Sequence, residues 1–180
     1  YDEERTETAG PEEPLYGRSY MPRKFKIGFV IPPINDIDVY AQDLGFIAIV
    51  TKGRLEGFNV VIGGSMGRTD QVRTTYPRLA DLIGFVPVDR LTTVIDAVMT
   101  VQRDYGDRVD RAHARFKYTI DDKGLAWTKA EIEKRQGFTF KPPRKHRFTT
   151  NSDSFGWTRG DDGRAHYTLF IDNGLIIDTP

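Results

Sequence analysis

The chain has 180 residues, with 26 Lys and Arg balanced by 26 Asp and Glu, so any positive surface on it must be local. That length suits one domain with a real core and part of a second, and the neutral balance argues against a nucleic-acid or general polyanion binder. Cysteine is absent, which rules out disulfides, thiolate metal sites and iron–sulfur ligation by these residues. No apolar run reaches the ~20 residues needed to span a bilayer.

Neither a charged-then-apolar export signal nor a metal-spaced histidine motif is present. His113, His146 and His166 are scattered and read as structural or surface groups. The expectation is a soluble cytoplasmic protein with no membrane and no nucleic-acid partner. Tyr1 to Pro14 is acidic and nearly free of aliphatics, so it reads as an extended or disordered leader. Leu15, Tyr16 and Tyr20 are placed to pin its end to the body.

The segment from Lys24 to Ile31 is apolar after its lysines and is bounded by Pro22 and Pro32-Pro33, so it reads as one short strand. Alternation puts Lys24 and Lys26 on one face and Phe25 and Ile27 on the other. Two readings are open on pattern alone. The lysines could guard a solvated strand edge, or form a cationic floor for a small charged anion. Asn35-Asp36 follows, with side chains suited to bonding backbone or ligand.

Phe46 to Val50 is a buried strand, Lys52-Gly53 a turn, and Leu55 to Ile62 the returning strand, so residues 45–62 form a hairpin. It ends in Gly63-Gly64-Ser65-Met66-Gly67. This fits neither dinucleotide fingerprint and reads either as a structural turn or as backbone open to a ligand. Tyr76 to Ile83 suggests a short helix with Pro77 in its first turn and Gly84 past its end. Leu91, Val94, Ile95, Val98 and Met99 define the clearest amphipathic helix, with Asp89 as N-cap and Gly106 at its close.

If residues 107–118 are helical, Arg108, Arg111 and Arg115 share one face, and Val109, Ala112, Phe116 and Ile120 another. That arginine stripe is either a solvated face paired with nearby aspartates or a binder of carboxylates or phosphates. Leu125 to Gln136 is a helix braced by Glu131 and Arg135 and stopped by Gly137. Phe138 to Arg147 reads as a basic linker and residues 148–163 as loop. Tyr167 to Asp172, Asn173-Gly174 and Leu175 to Asp178 give the strongest hairpin signal.

Arg23-Lys24-Phe25-Lys26, Ile31-Pro-Pro-Ile-Asn-Asp-Ile-Asp38, Gly57-Phe-Asn-Val-Val-Ile-Gly-Gly64, Val101-Gln-Arg-Asp-Tyr-Gly-Asp-Arg108 and Asp110-Arg-Ala-His-Ala-Arg-Phe-Lys-Tyr-Thr119, followed by the final hairpin, together resemble the sirohaem-containing sulfite/nitrite reductases. The haemoprotein subunit of assimilatory sulfite reductase is the member most resembled. The resemblance implies an α+β fold, a mixed β-sheet flanked by helices, plus a C-terminal β-hairpin. It implies residues 1–20 as leader, 21–147 as a sirohaem-domain-like core, and 148–180 as linker and first hairpin of a truncated second ferredoxin-like unit.

The implied function is that of a fragment of an oxidoreductase. Its sirohaem and four-iron iron–sulfur cluster would reduce sulfite to sulfide, with electrons from a flavoprotein subunit or a ferredoxin. The cluster ligands would lie elsewhere in the polypeptide. By that resemblance Lys24 and Lys26 are the catalytic, anion-binding lysines, while Asn35, Gly63, Gly64, Ser65, Arg111 and Arg115 approach sirohaem. Arg115 stands where the family has a lysine paired with a sirohaem carboxylate, and Ser65 where a third glycine is common. Ferredoxin-type nitrite reductases tend to carry Asn at the position of Lys26, so the lysine favours sulfite over nitrite. The chain by itself is expected to be inactive and to bind no sirohaem tightly. A different class of function, a free-standing anion- or tetrapyrrole-binding module without redox chemistry, stays open beside it.

Overall fold

The computed structural model describes residues 13–172. Four strands, β1 (Ile27–Val30), β2 (Leu44–Thr51), β3 (Arg54–Ile62) and β4 (Asp81–Pro87), lie side by side in chain order. β1 runs parallel to β2, and the remaining pairs are antiparallel, so the sheet is mixed as expected. The hairpin joining β2 to β3 turns on Lys52 and Gly53, both at positive φ. That twist matches two twisted strands better than an ordinary turn does.

The unbroken apolar run in β2 has a physical reason, since both faces of the sheet are covered. Leu44, Phe46, Ala48, Phe58, Val60 and Ile62 face a core shared with three helices, α1 (Leu91–Tyr105), α2 (Phe116–Lys123) and α3 (Leu125–Gln136). Val30, Ile47 and Val61 face the other way, against Val39, Ala80, Tyr40 and Phe148. In α1 the buried Val94, Val98 and Met99 belong to the expected stripe, and the fully buried Val101 extends it. Each such side chain contributes about 1.5–3 kcal/mol of transfer free energy. Arg135 on α3 bonds Glu131 at 3.0 Å, one turn back, and Asp104 of α1 at 2.8 Å, which ties the two helices together. Gly137, at φ 77°, closes α3 as expected.

Several local expectations are corrected. β1 starts at Ile27, not Lys24, because the Lys26 N–H is taken by the Asp43 carboxylate at 2.9 Å instead of by a strand ladder. Asp89 is not the cap of α1. It sits in a short 3₁₀ turn, Val88–Arg90, and the cap position falls on Arg90. No helix forms over Tyr76 to Ile83: Ile83 to Val86 belong to β4, and Phe85 pairs with Asn59 of β3. Pairing along a half-formed sheet outweighs the local Pro and Gly signals.

The arginine stripe is not helical either. Asp107 accepts bonds from the Val109 and Asp110 amides, and Asp110 accepts one from Ala112. These side-chain bonds replace helical ones and leave only a 3₁₀ turn, Arg111–His113, before α2. Val109 is accordingly 99% exposed instead of facing the core.

Residues 138–150 form a strap more than a linker. Lys141 and Phe85 exchange two backbone bonds, and the Asn59 side chain grips both the N–H and C=O of Arg144. The strap delivers Phe148 to the second core. Beyond it, β5 (Gly156–Arg159) pairs with β6 (Ala165–Thr168), so Tyr167 meets Trp157. Residues 156–159, expected as loop, are therefore strand. Of the first arm expected over Tyr167 to Asp172 only Tyr167 and Thr168 are strand, and the second arm of the Asn173-Gly174 hairpin lies outside the described residues, as does most of the leader. Near the leader's end, Arg103 bonds the Leu15 carbonyl at 2.9 Å and Arg108 bonds that of Tyr20 at 2.8 Å.

Candidate anion-binding site

Three segments meet at one end of the sheet, and Asp43 is their node. Its carboxylate accepts the Lys26 N–H, its carbonyl accepts the Gly63 N–H at 2.8 Å, and the next residue, Leu44, donates to the Lys26 carbonyl at 3.1 Å. Lys26 and the glycine turn are thus neighbours across the entrance to β2. Phe25 packs on Phe116 on the helical side. The Lys26 ammonium reaches the Ala41 carbonyl at 3.3 Å, on the side of the 3₁₀ turn Val39–Ala41, and Lys24 is exposed. Burial pushes the Asp43 carboxyl upward. The Lys26 N–H and the charges of Arg115, Lys26 and Lys117 oppose that shift.

The glycine turn has a packing explanation of its own. A Cβ on Gly64 would stand 2.1 Å from the Tyr40 carbonyl oxygen, and one on Gly63, at φ 82°, would stand 2.4 Å from Ile120. The Gly64 N–H completes the contact by donating to Gln42 at 2.9 Å. Gly64→Ala forces two backbone segments apart, which exceeds ordinary overpacking of about 1–3 kcal/mol. We expect a loss of at least about 3 kcal/mol and a fall of roughly 6–12 °C in Tm, measurable by thermal unfolding of the chain. Ser65 is buried and bonded to Arg78 through its backbone, and the Asn35 side chain accepts the Val39 N–H at 2.9 Å.

Beyond Ser65 the loop opens onto a pocket of about 190 Å³ lined by Arg23, Gly67, Arg68, Thr69, Thr75, Arg111, Ala112, Arg115 and Tyr118. Four arginines contribute, and among the described residues no carboxylate is in the lining, though Arg68 pairs with Asp70 beside it at 4.0 Å. The Arg23 pKa is lowered by desolvation and by repulsion from Arg111 and Arg115. A set of like charges held against one another in this way is satisfied by an anion with several oxygens.

Of the residues expected from sequence, Lys26, Gly63, Gly64 and Ser65 come together around Asp43, and Arg111 and Arg115 share the pocket. Asn35 lies apart, bonded to the strap through its N–H and the Thr150 carbonyl. Arg108, the third member of the supposed stripe, turns away to backbone carbonyls. No local sequence pattern marks Asp43, Arg68 or Lys117. Arg23 was visible beside Lys24, but nothing local marked it as a partner of Arg111.

A mixed sheet backed by three helices, with lysine and arginine side chains gathered at one end, defines an α+β domain. Residues 2–140 match the family described as the nitrite and sulphite reductase 4Fe-4S domain, and the chain belongs to that family. Over its full length it is 66% identical to the sulfite reductase [NADPH] hemoprotein beta-component of Nitrobacter hamburgensis, covering 31% of that protein. The protein of the same description from Myxococcus xanthus is 52% identical over 95% of this chain and 30% of its own length. Among solved structures, the Mycobacterium tuberculosis NirA protein superposes with a TM-score of 0.67 at 26% identity, over 82% of this chain and 26% of that one. The chain therefore spans about a third of the length of the relatives it matches. Among the described residues no helix is long and apolar enough to cross a membrane, and no His, Asp and Glu side chains cluster as metal ligands.

Proposed function

We propose that this chain is the sirohaem-pocket and anion-site segment of a cytoplasmic sulfite reductase haemoprotein. In this reading the rest of the polypeptide supplies the iron–sulfur cluster ligands and a flavoprotein supplies electrons. The observation that carries it is the convergence of Arg23, Arg68, Arg111 and Arg115 on one pocket that, among the described residues, holds no carboxylate. The residues present fit a tetrapyrrole bearing several carboxylates. They do not fit an iron–sulfur cluster, because the sequence contains no cysteine.

When bound, the sirohaem iron would deliver electrons to sulfite. The chain's own residues have three tasks. Arg111 and Arg115, with Arg23 and Arg68, hold the macrocycle's carboxylates through charge-assisted bonds. Lys24 and Lys26 attract the oxyanion and give protons to its oxygens as they leave as water. Asp43 fixes the Lys26 backbone. Gly63, Gly64 and Ser65 frame the loop whose open member is Gly67, and Asn35 stands apart from it, on the strap side.

The test is a chimera in which these 180 residues replace the matching 180 of the Nitrobacter hamburgensis protein. The chimera should retain sirohaem and reduce sulfite with its flavoprotein, while the chain by itself should do neither. A chimera that folds but lacks the sirohaem spectrum overturns the reading. Tight, stoichiometric sirohaem binding by the chain alone would instead favour the free-standing module.

A further inference from the structure

Lys117 lies on α2 and is completely buried, yet among the described residues its ammonium bonds no carboxylate. It donates to three backbone carbonyls of a single loop, those of Ser65 at 3.3 Å, Gly67 at 2.9 Å and Tyr76. The rings of Tyr76 and Tyr118 stand 5.6 and 4.9 Å from its nitrogen. Burying an ammonium costs several kcal/mol unless its donors are satisfied, so the cation and the closed loop depend on each other. Desolvation and Arg115 repulsion lower its pKa, and Asp43 and Asp121 act in the opposite direction.

The same helix holds the loop's far end. The Tyr118 hydroxyl accepts the Tyr76 N–H at 3.4 Å, and the Tyr76 hydroxyl donates to Asp121 at 2.7 Å, a bond that pushes the Tyr76 pKa up to about 12. The clamped loop carries Gly67, Arg68, Thr69 and Thr75, one wall of the arginine pocket. Arg111 and Arg115, just ahead of Lys117 in sequence, form the opposite wall.

We infer that Lys117 is a positioning residue that ties the two walls of the arginine pocket together, setting their spacing for a polycarboxylate ligand. The identity of that ligand rests on the function proposed above. Lys117 touches the loop and not the ligand. Its loss should therefore act through Arg68 and Gly67, and on cofactor retention more than on overall stability.

Lys117→Met in the chimera keeps the side chain's bulk and removes its donors. Trypsin should then cut after Arg68 and Arg73 about tenfold faster relative to Arg54, and sirohaem occupancy should fall at least fivefold. Thr128→Val on α3 is the control for destabilisation alone. It deletes a buried hydroxyl that bonds the Gly124 carbonyl, away from the pocket, and should leave both ratios unchanged at a comparable fall in Tm.

Tyr76→Phe loosens the same loop from an exposed position, so it covers the case in which Lys117→Met does not fold. It should shift cleavage and occupancy the same way by about twofold. Unchanged cleavage at Arg68, or accelerated cleavage with full sirohaem occupancy, overturns the inference and leaves the cofactor reading intact. Equal losses in Thr128→Val overturn it as well. Absence of sirohaem from the unsubstituted chimera overturns the cofactor reading and this inference with it.

Discussion

Arg115→Glu in the chimera should lose sirohaem almost completely. The substitution removes one charge-assisted contact and places a carboxylate among the ligand's own. A hydrogen bond to a charged group contributes about 1.5–3 kcal/mol, and the new repulsion adds to its loss. Together they predict a fall in affinity of at least about 100-fold, read as the sirohaem absorbance retained after gel filtration. Arg111→Glu should act alike, since Arg111 and Arg115 both press on Arg23. Arg54→Glu, in the exposed β2–β3 turn at the start of β3, serves as the comparison, because the glycine turn leaves from that strand's other end. Equal sirohaem retention in Arg115→Glu and Arg54→Glu would remove the pocket from the cofactor site. A second consequence has the opposite sign. Relief of repulsion among the arginines should make the empty form of Arg115→Glu no less stable than the parent.

The elements legible in the sequence were those whose signal is local. The stripe of α1, the β2–β3 hairpin with its Lys52-Gly53 turn, and α3 with its Glu131–Arg135 pair and Gly137 stop each lie within one short window. What failed depended on partners distant in the chain. The segment leading into β4 looked helical because Pro77 and Gly84 are helix punctuation, while the pairing that makes Asp81 onward a strand comes from β3, beyond any local window. The segment from Asp107 to Arg115 looked helical because its arginines are spaced by three and four. Asp107 and Asp110 divert its amides into side-chain bonds, which the spacing does not record.

The site shows the same limit. Family resemblance marked Arg111 and Arg115, but their pocket is completed by Arg23 and Arg68 from two other segments. Only folding brings these four cations together. Asp43 had no motif to announce it, and its importance lies in bonds to Lys26 and Gly63 that cross strands. The Gly63-Gly64 pair was legible as a structural turn, one of its two readings, but the groups that close on it were not. Tyr40 and Ile120 occupy the space its side chains would need.

The lysines give the sharper test of chemistry, because the fold holds Lys26 by its backbone. The Lys26 N–H goes to Asp43 and its carbonyl to Leu44, so Lys26→Met leaves both bonds in place and takes away only the ammonium and its contact with Ala41. The chimera carrying it should fold and keep its sirohaem. Its kcat for sulfite should fall about 100-fold or more, within the range for loss of a positioned proton donor or a charge-stabilising group. Lys24→Met should mainly weaken anion capture, raising KM about tenfold, because its ammonium is exposed and its field is screened. If the two act as one site, the double variant should lose less than the product of the single effects, since removing either amine already disables the pair. Added salt should raise KM in the parent and do so less in Lys24→Met. A Lys26→Met chimera with full sirohaem and undiminished kcat would show that this lysine only lines the strand's edge, and the anion would then have to be met by the arginine wall.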